Sequence, residues 1–140
     1  MIKLALCDDQ VLFLRGLKYI IRDFENIEIV MEAQTGEELL EKVKAGPPDV
    51  ILLDMKMPGL DGIEVTKRLK ASYPAIKIIL LTMYDDERLI SHVMEIGANG
   101  YLLKNEEPDV LREAIVSEKE KDLYFNDYVD KALLKGLKNK

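Results

Sequence analysis

Five short apolar runs recur along the chain, and helix-like stretches separate them. The runs are Ile2–Cys7, Ile27–Ala33, Val50–Leu53, Ile76–Leu81 and Tyr101–Leu103. Three of them contain continuously apolar stretches, as in strands of a parallel sheet that helices cover on both faces. A β–α order repeated five times predicts an α/β fold, a doubly wound parallel sheet with right-handed crossovers.

The stretches between the runs carry signals for helix ends. Thr35 begins a capping-box spacing, and Asp61 is a second N-cap candidate. Asp85 and Asp86 are expected to open the fourth helix, and Pro108 stands at the start of the fifth, where proline is tolerated. The first helix has an apolar stripe that is expected to face the core: Phe13, Leu17, Ile20 or Ile21, and Phe24.

The composition restricts the classes of partner. A chain of 140 residues is long enough for one domain with a substantial core. Its formal net charge of -6 argues against binding nucleic acid or an anionic membrane by bulk electrostatics. The single cysteine excludes an intramolecular disulfide, and the sequence shows neither a signal-peptide core nor a membrane span. We therefore expect a cytoplasmic protein without a membrane partner.

The sequence pattern changes after about residue 117. Ser117–Asp122 is rich in charge, and Tyr124–Leu137 carries a second helix-like apolar stripe. This change predicts a main domain over residues 1–117. It also predicts a charged linker and an amphipathic C-terminal helix over residues 118–140.

Polar side chains follow four of the apolar runs, at the points where the strands end. Asp8 and Asp9 follow the first run, Asp54 the third, Thr82 the fourth and Lys104 the fifth. The carboxyl ends of the strands in an open α/β sheet border the crevice in which ligands bind. We therefore expect these five side chains to meet at one edge of the sheet.

Three carboxylates in one crevice repel one another. At an effective dielectric constant of about 20, a pair at roughly 4 Å costs on the order of 4 kcal/mol, and a bound cation would offset that repulsion. Oxygen ligands without a nearby His or Cys favour Mg²⁺ or Ca²⁺, and Mg²⁺ suits a site that also binds phosphate. Asp54 can then act as a nucleophile towards phosphorus, while Lys104 would pair with the transferring group and Thr82 would hydrogen-bond to it.

Four motifs, in order and spacing, resemble the receiver domain of response regulators in bacterial two-component signalling. They are Asp8-Asp9, the segment Asp54–Gly62, Thr82 and the segment Gly100–Lys104. The resemblance covers residues 1 to about 117 and implies a flavodoxin-like (βα)5 sheet with strand order 2-1-3-4-5. It further implies a switch that accepts a phosphoryl group, promotes only its own phosphorylation and dephosphorylation, and controls an output, expected to be transcription.

The resemblance also assigns roles at the phosphorylation site. Asp54 would be the phosphoacceptor, and the phosphodonor would be a phosphohistidine on a sensor histidine kinase or a small phosphodonor. Asp9 and Asp54 would bind Mg²⁺ directly, Asp8 would act through water, and Lys56 would contribute its backbone carbonyl.

Thr82 and Tyr101 would form the switch pair of such a receiver. The phosphate would draw the Thr82 hydroxyl inward and the Tyr101 ring would follow. The surface of the fourth helix, fifth strand and fifth helix would then be remodelled.

Two departures from the commonest receiver pattern narrow the resemblance. Asn105 follows Lys104 where many receivers have proline, and Met83 follows Thr82 where a small residue is usual. Both features, and the segment Asp122–Phe125, resemble the NarL/FixJ-type regulators of the LuxR-like output class, in which a helix-turn-helix domain follows. We therefore expect homodimerisation on phosphorylation, and DNA contact only through an output domain that is absent from this chain.

Three other functions stay open. An aspartate-nucleophile phosphatase also pairs Asp with Mg²⁺ on an α/β sheet, but it would have Asp-x-Asp after strand one, where this chain has Gln10. A flavodoxin-like binding module would have a hydroxyl- and glycine-rich loop at positions 8–11. A receiver that acts as a phosphate-independent binding module would not need the three acidic residues.

Overall fold

A computed structural model describes residues 1–83, 86–120 and 124–125 of the chain. The strands are β1 (Ile2–Cys7), β2 (Ile27–Ala33), β3 (Val50–Asp54), β4 (Lys77–Thr82), β5 (Gly100–Leu103) and β6 (Tyr124–Phe125). The helices are α1 (Val11–Ile21), α2 (Gly36–Ala45), α3 (Gly62–Ser72), α4 (Glu87–Glu95) and α5 (Pro108–Glu120). None of these described helices is long and apolar enough to cross a membrane.

The first five strands form a parallel sheet in the order β2-β1-β3-β4-β5, as the family resemblance implies. Cys7 pairs with Leu53, and Thr82 pairs with Leu103. The residues that follow β1 and β3 therefore lie side by side, as do those that follow β4 and β5. The predicted α/β, doubly wound, flavodoxin-like fold is confirmed.

Two apolar layers, one on each face of the sheet, hold the helices. Along β1, Ala5 and Cys7 belong to the layer shared with α2, α3 and α4, whereas Leu4 and Leu6 belong to the layer shared with α1 and α5. All four of these side chains are buried. Burial on both faces explains why the central strands are continuously apolar in sequence.

Side-chain caps fix the starts of three helices. Thr35 Oγ1 accepts a hydrogen bond from the Glu38 amide at 3.0 Å, and Asp61 Oδ1 accepts one from the Glu64 amide at 2.9 Å. Asp86 Oδ1 accepts a hydrogen bond from the amide two residues on, at 2.9 Å, and so caps α4. The predicted caps at Thr35, Asp61 and Asp86 are therefore present, and Asp85 lies outside the described residues.

The C-terminal part of the chain departs from the prediction in two ways. Helix α5 continues to Glu120, past the expected boundary at residue 117. Tyr124–Phe125 form strand β6, which pairs with Gly100 and Tyr101 of β5, so the predicted helical conformation is wrong at these two residues. Pairing with β5 gives the backbone of this segment hydrogen-bond partners that a local helical stripe does not reveal. The rest of the predicted C-terminal helix lies outside the described residues.

Candidate functional site

Backbone hydrogen bonds between neighbouring strands continue one residue past the strand ends. The Met55 amide donates to the Leu81 carbonyl at 2.9 Å, and the Lys104 amide donates to the Thr82 carbonyl at 2.8 Å. These bonds fix the backbone at the points where β3 and β5 deliver their polar residues. The predicted site therefore lies on rigid strand ends.

The structure brings the three predicted carboxylates together. One carboxylate oxygen from each of Asp8, Asp9 and Asp54 lies within 4.8 Å of the other two. Asp8 and Asp54 are buried, with exposed fractions of 1% and 4%, whereas Asp9 is exposed. The acidic cluster thus has a buried floor and one carboxylate open to solvent.

Lys104 reaches this cluster from the end of β5. Its Nζ lies 2.9 Å from Asp8 Oδ2 and 3.2 Å from Asp54 Oδ1. The side chain of Lys104 is 6% exposed, so the ammonium contacts both carboxylates away from bulk water. An ammonium in this position can pair with an anion that is attached to Asp54.

The environment of Asp54 changes its acidity. The pKa of Asp54 is raised from 3.8 to about 6, because burial and, less strongly, the Asp8 charge outweigh the opposing effects of Lys104 and the Lys56 amide. The Lys56 amide donates to Asp54 Oδ1 at 3.4 Å. The charged form of Asp54 is therefore incompletely stabilised by the protein alone, as expected for a site that also needs a cation.

A tight loop after β3 holds the backbone beside Asp54. The Gly62 amide donates to the Met55 carbonyl at 2.8 Å, which folds the start of α3 back onto the strand end. A Cβ atom on Gly62 would lie 2.5 Å from the Asp54 carbonyl oxygen. Only glycine fits this contact without moving the backbone of the candidate phosphoacceptor.

Both residues of the expected switch pair are buried. Thr82 is 2% exposed, and Tyr101 is 1% exposed and belongs to the core layer under α2, α3 and α4. The Tyr101 ring is therefore packed in the protein interior. Met83, next to Thr82, is 68% exposed, so its side chain points largely into solvent.

The residues at the site fit a bound Mg²⁺ ion. Asp8 Oδ2 is buried, and no group in the described part of the chain donates a geometrically acceptable hydrogen bond to it, although Lys104 Nζ is close. A buried carboxylate oxygen without a hydrogen bond is available to a cation. All three clustered side chains offer oxygen atoms, which are the ligands that Mg²⁺ prefers.

Two residues beside Lys104 were not predicted to belong to the site. Gln10 Oε1 accepts a hydrogen bond from Lys104 Nζ at 3.0 Å, and the Phe13 ring centroid lies 4.6 Å from the same atom. Phe13 was predicted only as part of the apolar stripe of α1. The sequence offered one signal for Gln10: it stands at an N-cap position, which favours Ser, Thr, Asp or Asn. A glutamine at this position indicates that its side chain serves a contact other than capping.

Comparison with known proteins identifies the class that this fold and site define. Residues 4–116 match the family of response regulator receiver domains, and the chain belongs to this family. Phosphorylation on an aspartate is characteristic of the family, and its members typically bind Mg²⁺ at an acidic pocket. Response regulators are generally not catalysts beyond their own phosphorylation.

Particular relatives support the NarL-like class. The chain is 37% identical over 134 residues to the transcriptional regulatory protein DegU of Brevibacillus brevis, covering 96% of this chain and 57% of that protein. The isolated receiver domain of RcsB from Salmonella enterica serovar Typhimurium, solved with the phosphomimetic BeF3⁻, has a TM-score of 0.85 at 25% identity, covering 94% of this chain and 97% of that one. A structure of two RcsB dimers bound to two parallel DNAs has a TM-score of 0.86 at 26% identity, covering 96% of this chain and 68% of that one. The chain spans little more than half the length of DegU.

Proposed function

We propose that Asp54 is the phosphoacceptor of this receiver domain and that a sensor histidine kinase is its phosphodonor. The observation that supports this most is the position of the Lys104 ammonium, 2.9 Å from Asp8 and 3.2 Å from Asp54. Of the three clustered carboxylates, Asp54 is the one that belongs to a strand: it ends β3, whereas Asp8 and Asp9 follow β1. A phosphoryl group on Asp54 would therefore be within reach of Lys104.

The transfer step uses the side chains at the strand ends. An oxygen of the Asp54 carboxylate forms a bond to phosphorus while the bond from phosphorus to the leaving group breaks, and the leaving group keeps that electron pair. Lys104 pairs with the phosphoryl oxygens, and the Thr82 hydroxyl donates a hydrogen bond to one of them. The product is an acyl phosphate on Asp54.

The proposed cofactor is Mg²⁺. Asp9 and Asp54 would hold the ion directly, Asp8 through water, and Lys56 through its backbone carbonyl. When bound, the ion would offset negative charge on the transferring phosphoryl group. This set of ligands is supported by the clustering of the three carboxylates and by Asp8 Oδ2, which accepts no hydrogen bond from the described residues.

The proposed output is control of transcription. Thr82 and Tyr101 would transmit the phosphorylated state to the surface of α4, β5 and α5. The phosphorylated protein would form a homodimer, and DNA would be contacted through an output domain. The proposed phosphoacceptor domain comprises residues 1–117, its last helix α5 runs on to Glu120, and a linker segment would follow it. The regulatory relatives DegU and RcsB support this proposal.

Mass spectrometry after incubation with Mg²⁺ and a small acyl phosphate tests the proposal. The wild-type protein is expected to gain one phosphoryl group, and Asp54→Asn is expected to gain none. Asp23→Asn is a matched control, since the Asp23 side chain is 80% exposed beyond the end of α1. No gain in the wild-type protein, or an equal gain in Asp54→Asn, would contradict the proposal. Sustained turnover of a phosphate monoester would instead favour the phosphatase alternative.

A further inference from the structure

The Lys104 ammonium contacts more groups than the phosphorylation reaction itself requires. Two of its neighbours, Asp8 and Asp54, are acidic residues of the site, at 2.9 and 3.2 Å. The third is Gln10 Oε1, at 3.0 Å, and the Phe13 ring lies against the ammonium at 4.6 Å from its centroid.

The Gln10 side chain has no role in starting helix α1. Gln10 occupies the N-cap position, yet its side chain makes no capping hydrogen bond. Its backbone is held separately, because the Gln10 amide donates to Asp8 Oδ1 at 2.8 Å. Within the described part of the chain, the hydrogen bond from Lys104 is the one that the Gln10 side chain accepts, and it joins residues 94 positions apart.

Phe13 adds an aromatic face to the same ammonium. The half-buried Phe13 ring and Lys104 both line a cavity of about 220 Å³ between α1 and the start of α5. An aromatic face within about 6 Å attracts a cation, and more strongly where water is excluded. Gln10, which is exposed, and Phe13 therefore form an uncharged cradle for the ammonium beside its contacts with Asp8 and Asp54.

Phosphorylation changes some of these contacts and leaves others intact. The Asp54 carboxylate loses its charge when its oxygen bonds to phosphorus, so Lys104 must exchange this carboxylate for phosphoryl oxygens. Gln10 and Phe13 carry no charge and take no part in the bond changes. Their contacts can persist through the exchange and keep the ammonium where the phosphoryl group arrives.

We propose that Gln10 and Phe13 are positioning residues that hold the Lys104 ammonium for phosphoryl transfer to Asp54. This inference rests on the proposed phosphoacceptor role of Asp54. A hydrogen bond to a charged group contributes more than one between neutral groups. Loss of the Gln10 acceptor is therefore expected to slow phosphorylation by about tenfold, which corresponds to about 1.4 kcal/mol in the barrier.

The test is the rate of phosphorylation by a small acyl phosphate with Mg²⁺ in Gln10→Met, which keeps the length of the side chain and removes its acceptor. Gln34→Met is the matched control, because it makes the same change at an exposed loop position. The effect should disappear in a Lys104→Met background, as a double-mutant cycle requires for two groups that act through one contact. A Gln10→Met rate within twofold of wild type, or an equal loss without Lys104, would overturn the inference.

Phe13 is tested by a pair of substitutions. Phe13→Leu removes the aromatic face but keeps an apolar side chain, and is expected to slow phosphorylation by about threefold, the scale of a single cation–π contact. Phe13→Tyr keeps the aromatic face and is expected to recover most of that loss. If the Leu and Tyr variants have equal rates, the ring acts only by packing and its positioning role is wrong.

A measurement without Mg²⁺ or phosphodonor separates this inference from the proposed function. The ammonium protons of Lys104 are observed by proton–nitrogen correlation NMR, and Lys104→Met identifies the signal. We expect Gln10→Met to shift the signal and speed its exchange with water, and Gln34→Met to leave it unchanged. An unchanged signal in Gln10→Met overturns the inference. This outcome decides the question even if Lys104→Met is phosphorylated too slowly for the double-mutant cycle to be measured. Failure of the wild-type protein to accept phosphate would count against the proposed function instead.

Discussion

The raised pKa of Asp54 predicts that this carboxylate destabilises the metal-free protein at neutral pH. Burial raises its pKa from 3.8 to about 6. Between these two values the folded protein binds a proton that the unfolded chain has released, so the free energy of unfolding falls as pH rises. Above about pH 6 both states are deprotonated and this contribution stays constant.

The size of the effect follows from the shift. At 1.36 kcal/mol per pH unit, the full change is about 3 kcal/mol, and about 2 kcal/mol of it falls between pH 4.5 and pH 7.5. Asp54→Asn cannot ionise and so lacks this loss. The variant should therefore gain about 2 kcal/mol relative to the wild-type protein over that interval. The ion pair with Lys104 is already contained in the pKa of Asp54, and differences that do not depend on pH, such as altered packing of the substituted side chain, cancel in this comparison.

Urea unfolding of both proteins at the two pH values, with chelator present, measures this difference. Asp23→Asn is the control, because its exposed side chain is screened by solvent and should leave the pH dependence nearly unchanged. A difference between Asp54→Asn and wild type that is the same at both pH values would refute the reasoning. It would mean that Lys104 and the Lys56 amide compensate fully for the burial of Asp54.

Three further predictions concern the loop, the metal and a cap. Gly62→Ala should lower the free energy of unfolding by about 1–3 kcal/mol, because its Cβ would meet the Asp54 carbonyl oxygen. Gly16→Ala, in open space within α1, should instead raise it by up to about 1 kcal/mol. Equal effects of the two substitutions in urea unfolding would contradict this prediction. Mg²⁺ at 100 times its Kd should stabilise the wild-type protein against unfolding by about 2.7 kcal/mol. If Mg²⁺ stabilises Asp9→Asn equally in a thermal scan, Asp9 is not a ligand of the ion. Thr35→Ala should lower the free energy of unfolding by about 1 kcal/mol, because it removes the cap of α2. Thr35→Ser should recover most of that stability. An unchanged free energy of unfolding of Thr35→Ala in chemical denaturation would show that the cap is dispensable.

Much of the candidate site could be predicted because its residues follow strand ends. A parallel sheet places all its carboxyl ends at one edge, so Asp8, Asp54, Thr82 and Lys104 had to meet once the strand order was known. The same logic could not place Gln10 or Phe13. Their contacts with Lys104 depend on how α1 packs against the end of β5, and local periodicity does not encode that packing.

The C-terminal segment shows the converse case. The apolar stripe from Tyr124 onward fits a helix when it is read locally. Its first two residues instead form β6, because β5 offers backbone partners that only the assembled sheet provides. Local pattern therefore gave the wrong conformation where a tertiary hydrogen-bond partner was available.

The sequence by itself determined the doubly wound sheet and the set of polar groups at its edge. It could do so because hydrophobic periodicity and the alternation of strands and helices along the chain are local properties with a fixed geometric consequence. The tertiary structure alone decided the acidity of Asp54, the inward position of Tyr101 and the cradle around Lys104. Each of these depends on burial and on distances between residues far apart in the chain, which exist only after the helices have packed.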